Sequence, residues 1–304
     1  MNAIFTGRKR SGKTTLAFDI AMRNGGGIII YDPKREWRGW PGQVSDVSEI
    51  EQKIKEGNEV IVLHPDGDKR EAFSPLARLV SELHRIAMDK GWDKAQHHFT
   101  LLVDEAVNVS TAKWVDEELL SLIAENRPEI LDIFLTFQSP KDANNLLKSR
   151  VDTWFIFNTS LPSDLDYLNR EVGVPQQDLE KIQHLREHEY AHFEFDGGTP
   201  RVTYNYEPEA WFRPLEYFEL NKNEREEIMS RDSDDKEYTL KELFEEFLDF
   251  FEEKKSPVVP ATGTTTATTV PATVVDVGKR RTKFKGTDFF SFQIHAKGKC
   301  FQWT

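Results

Sequence analysis

Gly7-Arg8-Lys9-Arg10-Ser11-Gly12-Lys13-Thr14-Thr15 follows a short apolar run over residues 3–6 and leads straight into a helical pattern over residues 13–23. The two glycines let backbone N–H groups turn inward around phosphate oxygens, and the following helix offers its positive N-terminal end to the same charge. In such a loop Lys13 reaches the β- and γ-phosphates of a nucleotide, and Thr14 sets its hydroxyl on Mg²⁺. Thr15 supports from the next position. Arg8, Lys9 and Arg10 read most simply as loop variation between the glycines; the alternative is contact with an acidic face of a neighbour. A chance Gly-x4-Gly-Lys-Thr is disfavoured because the strand, loop and helix all stand in the required order.

Working outward, short β-branched or aromatic runs at residues 27–32, 59–64, 99–103, 130–137 and 152–158 alternate with helical patterns at 74–90, 115–126 and 141–149. This alternation predicts βαβ units and an α/β fold with a mainly parallel central sheet. The runs are nearly continuous in apolar residues, as expected for strands covered by helices on both faces. Residues 163–172 and 176–185 read as short helices. Residues 188–195 and 199–206 read as extended segments joined by Asp196-Gly197-Gly198, a hairpin signal.

Two further elements carry chemistry. The run Phe99-Thr-Leu-Leu-Val103 ends in Asp104-Glu105, so an apolar strand delivers paired carboxylates to its C-terminal end, where ligands bind in open α/β sheets. Asp104 is then the partner of Mg²⁺, and Glu105 can accept a proton from the attacking water or orient it. The alternative is an ordinary surface acidic pair. Gln138 ends the 130–137 run in Thr-Phe-Gln-Ser-Pro, where a neutral amide can hydrogen-bond both the lytic water and the γ-phosphate. In this order the three motifs indicate the P-loop ATPases that insert a strand between the phosphate-binding strand and the Asp-Glu strand and use a catalytic glutamate.

Together with Ile30-Tyr-Asp-Pro-Lys34, Leu102-Val-Asp-Glu-Ala106, Glu125-Asn-Arg127, Thr136-Phe-Gln-Ser-Pro140 and Arg150-Val-Asp152, these motifs make the first two-thirds of the chain resemble the FtsK/HerA superfamily of DNA-translocating ATPases. The resemblance is greatest to the genome-packaging ATPases of membrane-containing icosahedral viruses. It implies ATP and Mg²⁺ as ligands, double-stranded DNA as the moved partner, a homo-oligomeric ring such as a hexamer, and capsid or portal-vertex proteins as further partners. It also implies an arginine supplied by the neighbouring subunit, for which Arg150 and then Arg127 are the candidates. The family's usual Gly-Arg-His is here Asn126-Arg127-Pro128, which departs from the pattern around Arg127. A filamentous-phage assembly or conjugation-type ATPase is an alternative, as is a small-molecule kinase or nucleotide switch. A kinase lid rich in arginine is not found within residues 110–150.

The chain has 304 residues, with 38% hydrophobic and 30% charged, enough for one sizeable core and a charged surface. A formal net charge of -12 argues against a protein that coats nucleic acid with its whole surface, without excluding a local basic channel. One cysteine, Cys300, rules out an internal disulfide framework and a cysteine metal cluster. With no apolar run of transmembrane length and no secretory leader pattern, the expected location is the cytoplasm of a host cell, or the virion. The expected organisation is an ATPase core over 1–210, an acidic helical extension over 211–255, a flexible Thr/Pro-rich linker over 256–277 and a basic, aromatic tail module over 278–304. Leu240, Leu243, Phe244, Phe247, Leu248 and Phe251 fall on one helical stripe, suited to packing on the core or to docking a neighbour. In the tail, Lys279, Arg280, Arg281, Lys283 and Lys285 alternate with aromatic residues, which fits phosphate-backbone contact, a small β-rich docking module or a disordered tail.

Overall fold

A computed structural model describes residues 1–40, 42–91, 98–195, 201–205, 245, 282–284, 287–289, 292–296 and 299–303. They fall in two compact units, Met1–Ser256 and Pro257–Thr304. In the first unit β1 (Asn2–Thr6) leads through the glycine loop into α1 (Lys13–Asn24), and β2 (Gly27–Tyr31), β3 (Gln43–Val44), α2 (Ser48–Lys55), β4 (Val60–Leu63) and α3 (Lys69–Asp89) follow. Next come β5 (Phe99–Val103), β6 (Ser110–Thr111), β7 (Trp114–Val115), α4 (Glu117–Glu125) and β8 (Leu131–Phe137). Then α5 (Asn145–Lys148), β9 (Thr153–Phe157), α6 (Pro162–Tyr167), α7 (Gln176–His184), β10 (Tyr190–Glu194) and β11 (Arg201–Asn205) complete its described elements.

Among the described residues, nine strands form one sheet in the order β11-β10-β9-β1-β8-β5-β2-β4-β3. All neighbours from β9 to β3 are parallel, and β10 and β11 extend the β9 edge antiparallel. Strand β8 lies between β1 and β5, which is the inserted strand that the motif order predicts.

Side chains alternate between the two faces of a strand, so a continuous apolar run feeds two cores at once. Phe5, Ile28, Ile30, Val62, Leu102, Phe134 and Phe155 pack with Leu16, Phe18 and Met22 of α1 on one face. Ile4, Ile29, Ile61, Leu101, Val103, Ile133 and Leu135 pack on the other with Phe73, Leu76 and Val80 of α3 and Leu119 and Leu122 of α4. Phe5 is fully buried, stacked on Phe155 at 4.6 Å and edge-on to Phe134 at 5.4 Å. Truncating it to alanine removes about 3–5 kcal/mol by this kind of contact loss.

Three helical spans differ from those expected. Helix α3 starts at Lys69, five residues before the expected Ser74, because the Asp68 carboxylate caps it by accepting from the N–H groups of Arg70 and Glu71. Pro75 suggests a first-turn proline but sits inside the helix. The expected 141–149 helix is divided: Pro140–Asp142 is a 3₁₀ turn, and Asn144 caps the separate α5 by accepting from the Leu146 N–H. The 163–172 pattern is α6 followed by a π-turn over Leu168–Val172.

In the second unit, β12 (Thr282–Phe284) pairs antiparallel with β13 (Thr287–Phe289), and β14 (Phe292–Ala296) with β15 (Lys299–Trp303). Of the expected acidic helix only Glu245 is described, as helical and exposed. The linker, the remainder of that helix and the turn expected at Asp196-Gly197-Gly198 lie outside the described residues. No described helix is long and apolar enough to cross a membrane.

Candidate active site

The phosphate-loop sequence turns sharply at both glycines. Gly7 has φ +145°, and a Cβ there would stand 2.6 Å from the Cβ of Phe157 on β9, so only glycine lets the loop pass so close to the sheet. Gly12 has φ +102° at the head of α1 and has no side chain to cap it, so the first-turn N–H groups point into the loop. The loop is tied down by backbone bonds from Gly7 N–H to the Phe137 carbonyl, from Arg8 N–H to Asn158 and from His188 N–H to Ser11. That last brace, from beyond α7, has no sequence signal of its own. The Ser11 hydroxyl is buried without a hydrogen-bond partner, a polar atom suited to an anionic ligand in the loop.

Lys13 is buried and its ammonium donates to the Arg8 carbonyl at 2.9 Å. Burial lowers its pKa to about 8 against the upward pull of Asp104, Glu105 and Glu36. The loop residues Lys9, Arg10, Ser11, Gly12, Lys13, Thr14 and Thr15 line one cleft together with Glu36, Asp104, Glu105, Thr136 and Gln138. The phosphate-loop candidates from Lys9 to Thr15 therefore meet Asp104, Glu105 and Gln138 at one edge of the sheet, while Gly7 and Arg8 do not line the cleft.

The inserted strand organises the carboxylates. Thr136 on β8 donates its hydroxyl to Asp104 Oδ1 at 2.8 Å and accepts the Glu105 N–H at 2.8 Å. Thr14 donates to the same Oδ1 at 2.9 Å, and the Trp37 indole N–H lies 3.3 Å from Oδ2. Asp104 thus has only neutral donors, and burial pushes its carboxyl above the ordinary value despite them. Among the described residues no cluster of three or more His, Cys, Asp or Glu could hold a metal ion. One carboxylate with a touching threonine hydroxyl is the donor set that suits Mg²⁺ only when phosphate oxygens complete its shell.

Glu105 adopts the left-handed conformation, φ +54° and ψ +61°, which is uncommon for a side chain of this type. Its two carboxylate oxygens each accept from the Gln138 amide at 2.9 Å. Lys34 forms an ion pair with Oε1 at 2.8 Å. Sequence reasoning missed Lys34, Trp37 and Thr136 as site residues. Their signal was present: Lys34 and Trp37 follow β2, Thr136 is the last residue but one of β8, and both strands flank β5. Behind them buried Asp32 accepts from the N–H groups of Lys34 and Trp37 at 3.2 and 2.8 Å, and from His64 at 3.1 Å.

Arg150 and Arg127 do not join this cluster. The Arg150 carbonyl accepts from the Asn2 side chain, at the start of β1, and its guanidinium donates to the Leu120 carbonyl at 3.3 Å. Arg127 donates its N–H to His84 Nε2 at 3.1 Å, just before β8. Both side chains are exposed at the N-terminal ends of the strands, opposite the phosphate loop.

No protein-family model matches the sequence, and no curated protein is similar to it. Solved structures do resemble its fold. The genome-packaging NTPase B204 of Sulfolobus turreted icosahedral virus 2, bound to ATP-gammaS, aligns at 20% identity over 66% of this chain and 95% of that one, with a TM-score of 0.52. The same protein bound to AMPPCP gives the same coverage, identity and score. B204, the DNA-packaging ATPase of Sulfolobus turreted icosahedral virus, aligns at 19% identity over 66% and 95%, with a TM-score of 0.51. At such identities the likeness is one of fold, and the chain has the P-loop NTPase fold of these packaging ATPases, as its motifs imply.

Proposed function

We propose that this chain is an ATP-hydrolysing motor that moves double-stranded DNA, packaging a viral genome into a capsid, and that it works as a hexameric ring with ATP at subunit boundaries. The observation that carries the reading is the Glu105–Gln138 pair beside the phosphate loop, with Gln138 directly after the inserted strand. A phosphate-binding fold alone is shared with kinases and switches. A carboxylate placed to take a proton from water is what hydrolysis requires.

The N–H groups of the loop and Lys13 bind the β- and γ-phosphates, and the N-terminal end of α1 adds its positive potential. Thr14 and Asp104 would hold Mg²⁺, whose charge offsets that of the phosphates when bound. Gln138 orients a water beside the γ-phosphate. As the water oxygen bonds to the γ-phosphorus, its proton passes to Glu105 and the bond from phosphorus to the bridging oxygen of ADP breaks. Arg150, or Arg127, would reach the γ-phosphate of the next subunit, where such a residue contributes about 10³–10⁵ in rate. Support for DNA as the cargo is the role of B204 as a DNA-packaging ATPase together with the shared fold.

The test is ATP turnover by the purified protein with and without duplex DNA at low and high salt. Counterion release makes duplex binding strongly salt-dependent, so stimulation at low salt that fades at high salt is the expected result. Turnover indifferent to DNA at both salts would remove the motor reading and leave a plain nucleotide hydrolase.

A further inference from the structure

The Lys34–Glu105 ion pair is not needed to hold the fold together, and it occupies the oxygen that a general base must free. Both backbones are fixed. Glu105 has its N–H held by Asp104 and Thr136, and its carbonyl accepts from the Asn108 side chain at 2.9 Å. The Lys34 N–H is held by Asp32. Only the side chains can part, and the lysine is the freer one, with 35% of its side chain exposed against 17% for Glu105. Lys34 also lies close enough to Lys13 for its charge to depress that ammonium, so a lysine from the loop after β2 and one from the head of α1 approach each other beside Glu105. A triphosphate brings several negative charges to this place and competes with a single carboxylate for the Lys34 ammonium.

From this geometry we propose that Lys34 is a positioning residue that reads the γ-phosphate. Without ATP it holds Glu105 Oε1; with ATP it moves to the γ-phosphate and leaves that oxygen to accept from water. Gln138 stays on Glu105 and keeps its carboxyl aimed. After phosphate leaves, Lys34 returns and the base is again covered. The inference rests on the ATPase reading and concerns nucleotide recognition alone, so it needs no DNA.

Equilibrium binding of ATP-gammaS and of ADP to four proteins tests it: wild type, Lys34→Met, Glu105→Gln and the double variant, with Lys34→Arg as the conservative control. Loss of a charge-assisted contact predicts that Lys34→Met weakens ATP-gammaS about tenfold and leaves ADP within about twofold. Glu105→Gln removes the competing carboxylate and tightens ATP-gammaS, by about threefold or more, only where Lys34 is present. Lys34→Arg retains most of the discrimination. Equal weakening of ATP-gammaS and ADP by Lys34→Met, or an unchanged ratio between them, would overturn the proposal. So would an effect of Glu105→Gln that is the same with and without Lys34. Wild-type protein that binds neither nucleotide would instead sink the ATPase reading, and this inference with it.

Discussion

Asp104 and Asp132 are buried at opposite edges of one sheet, and their partners differ in charge. Asp132, at the N-terminal end of β8, accepts from His98 Nε2 at 3.0 Å, from the Asn24 side chain at 2.6 Å and from the Met1 ammonium. Burial alone would push its carboxyl up, but His98 and the ammonium outweigh that, and it is held down at about 2. Asp104, at the C-terminal end of β5, has hydroxyl, indole and backbone donors, and burial prevails. One carboxylate has its countercharge supplied by the fold. The other is bonded to neutral groups and faces a cleft that it shares with the Lys13 ammonium, and a carboxyl raised by burial in a cleft marks a candidate ligand site.

The comparison breaks if the Asp132 edge turns out to be catalytic as well. Arg150 lies at that edge, and in a ring it would serve the neighbour's cleft. Arg150→Ala should then lower turnover about 10³-fold or more while nucleotide still binds. Mixing it with Glu105→Gln subunits should restore part of the activity, measured as steady-state turnover of the mixture. Assembly without complementation would move the assignment to Arg127.

Asp132→Asn sharpens the contrast from the stability side. It leaves the Met1 ammonium without its countercharge, and should cost about 3 kcal/mol, read from urea unfolding at neutral pH. A smaller effect follows from the depressed carboxyl. A folded pKa below the unfolded value contributes stability that is present above about pH 4 and is lost as pH falls through 4 towards 2, worth about 2 kcal/mol here. The stability gap between wild type and Asp132→Asn should narrow by that amount between pH 5 and pH 2. A gap constant with pH would show that Asp132 is not held down.

The nucleotide edge was legible in the sequence because its chemistry depends on residue types at short spacing. Gly7, Gly12, Lys13 and Thr14 are fixed relative to each other by one loop and one helix, and Asp104 and Glu105 end a single strand. Contacts between strands that adjoin only in the sheet were not legible. Lys34 was quoted as part of a motif but given no role, since its pairing with Glu105 depends on β2 lying beside β5. The Asp132 network was missed for the same reason, as its members are residues 1, 24, 98 and 132. The apolar spacing places the start of α3 at Ser74, whereas the Asp68 cap sets it at Lys69, a polar first turn that the spacing does not mark. Glu105 had a visible side chain but an invisible backbone, because a left-handed φ leaves no mark in composition.

The most direct measurement compares Glu105→Gln with Asp132→Asn in the same assays of ATP turnover, ATP-gammaS binding and thermal unfolding. Removing a general base predicts that Glu105→Gln loses about 10²-fold or more in turnover, while it binds ATP-gammaS at least as tightly as wild type and keeps its unfolding temperature. Asp132→Asn should unfold earlier yet turn over ATP at close to the wild-type rate at a temperature where it is folded. Wild-type turnover by Glu105→Gln would contradict the account, because the phosphate-loop edge of the sheet would then not be where ATP is hydrolysed.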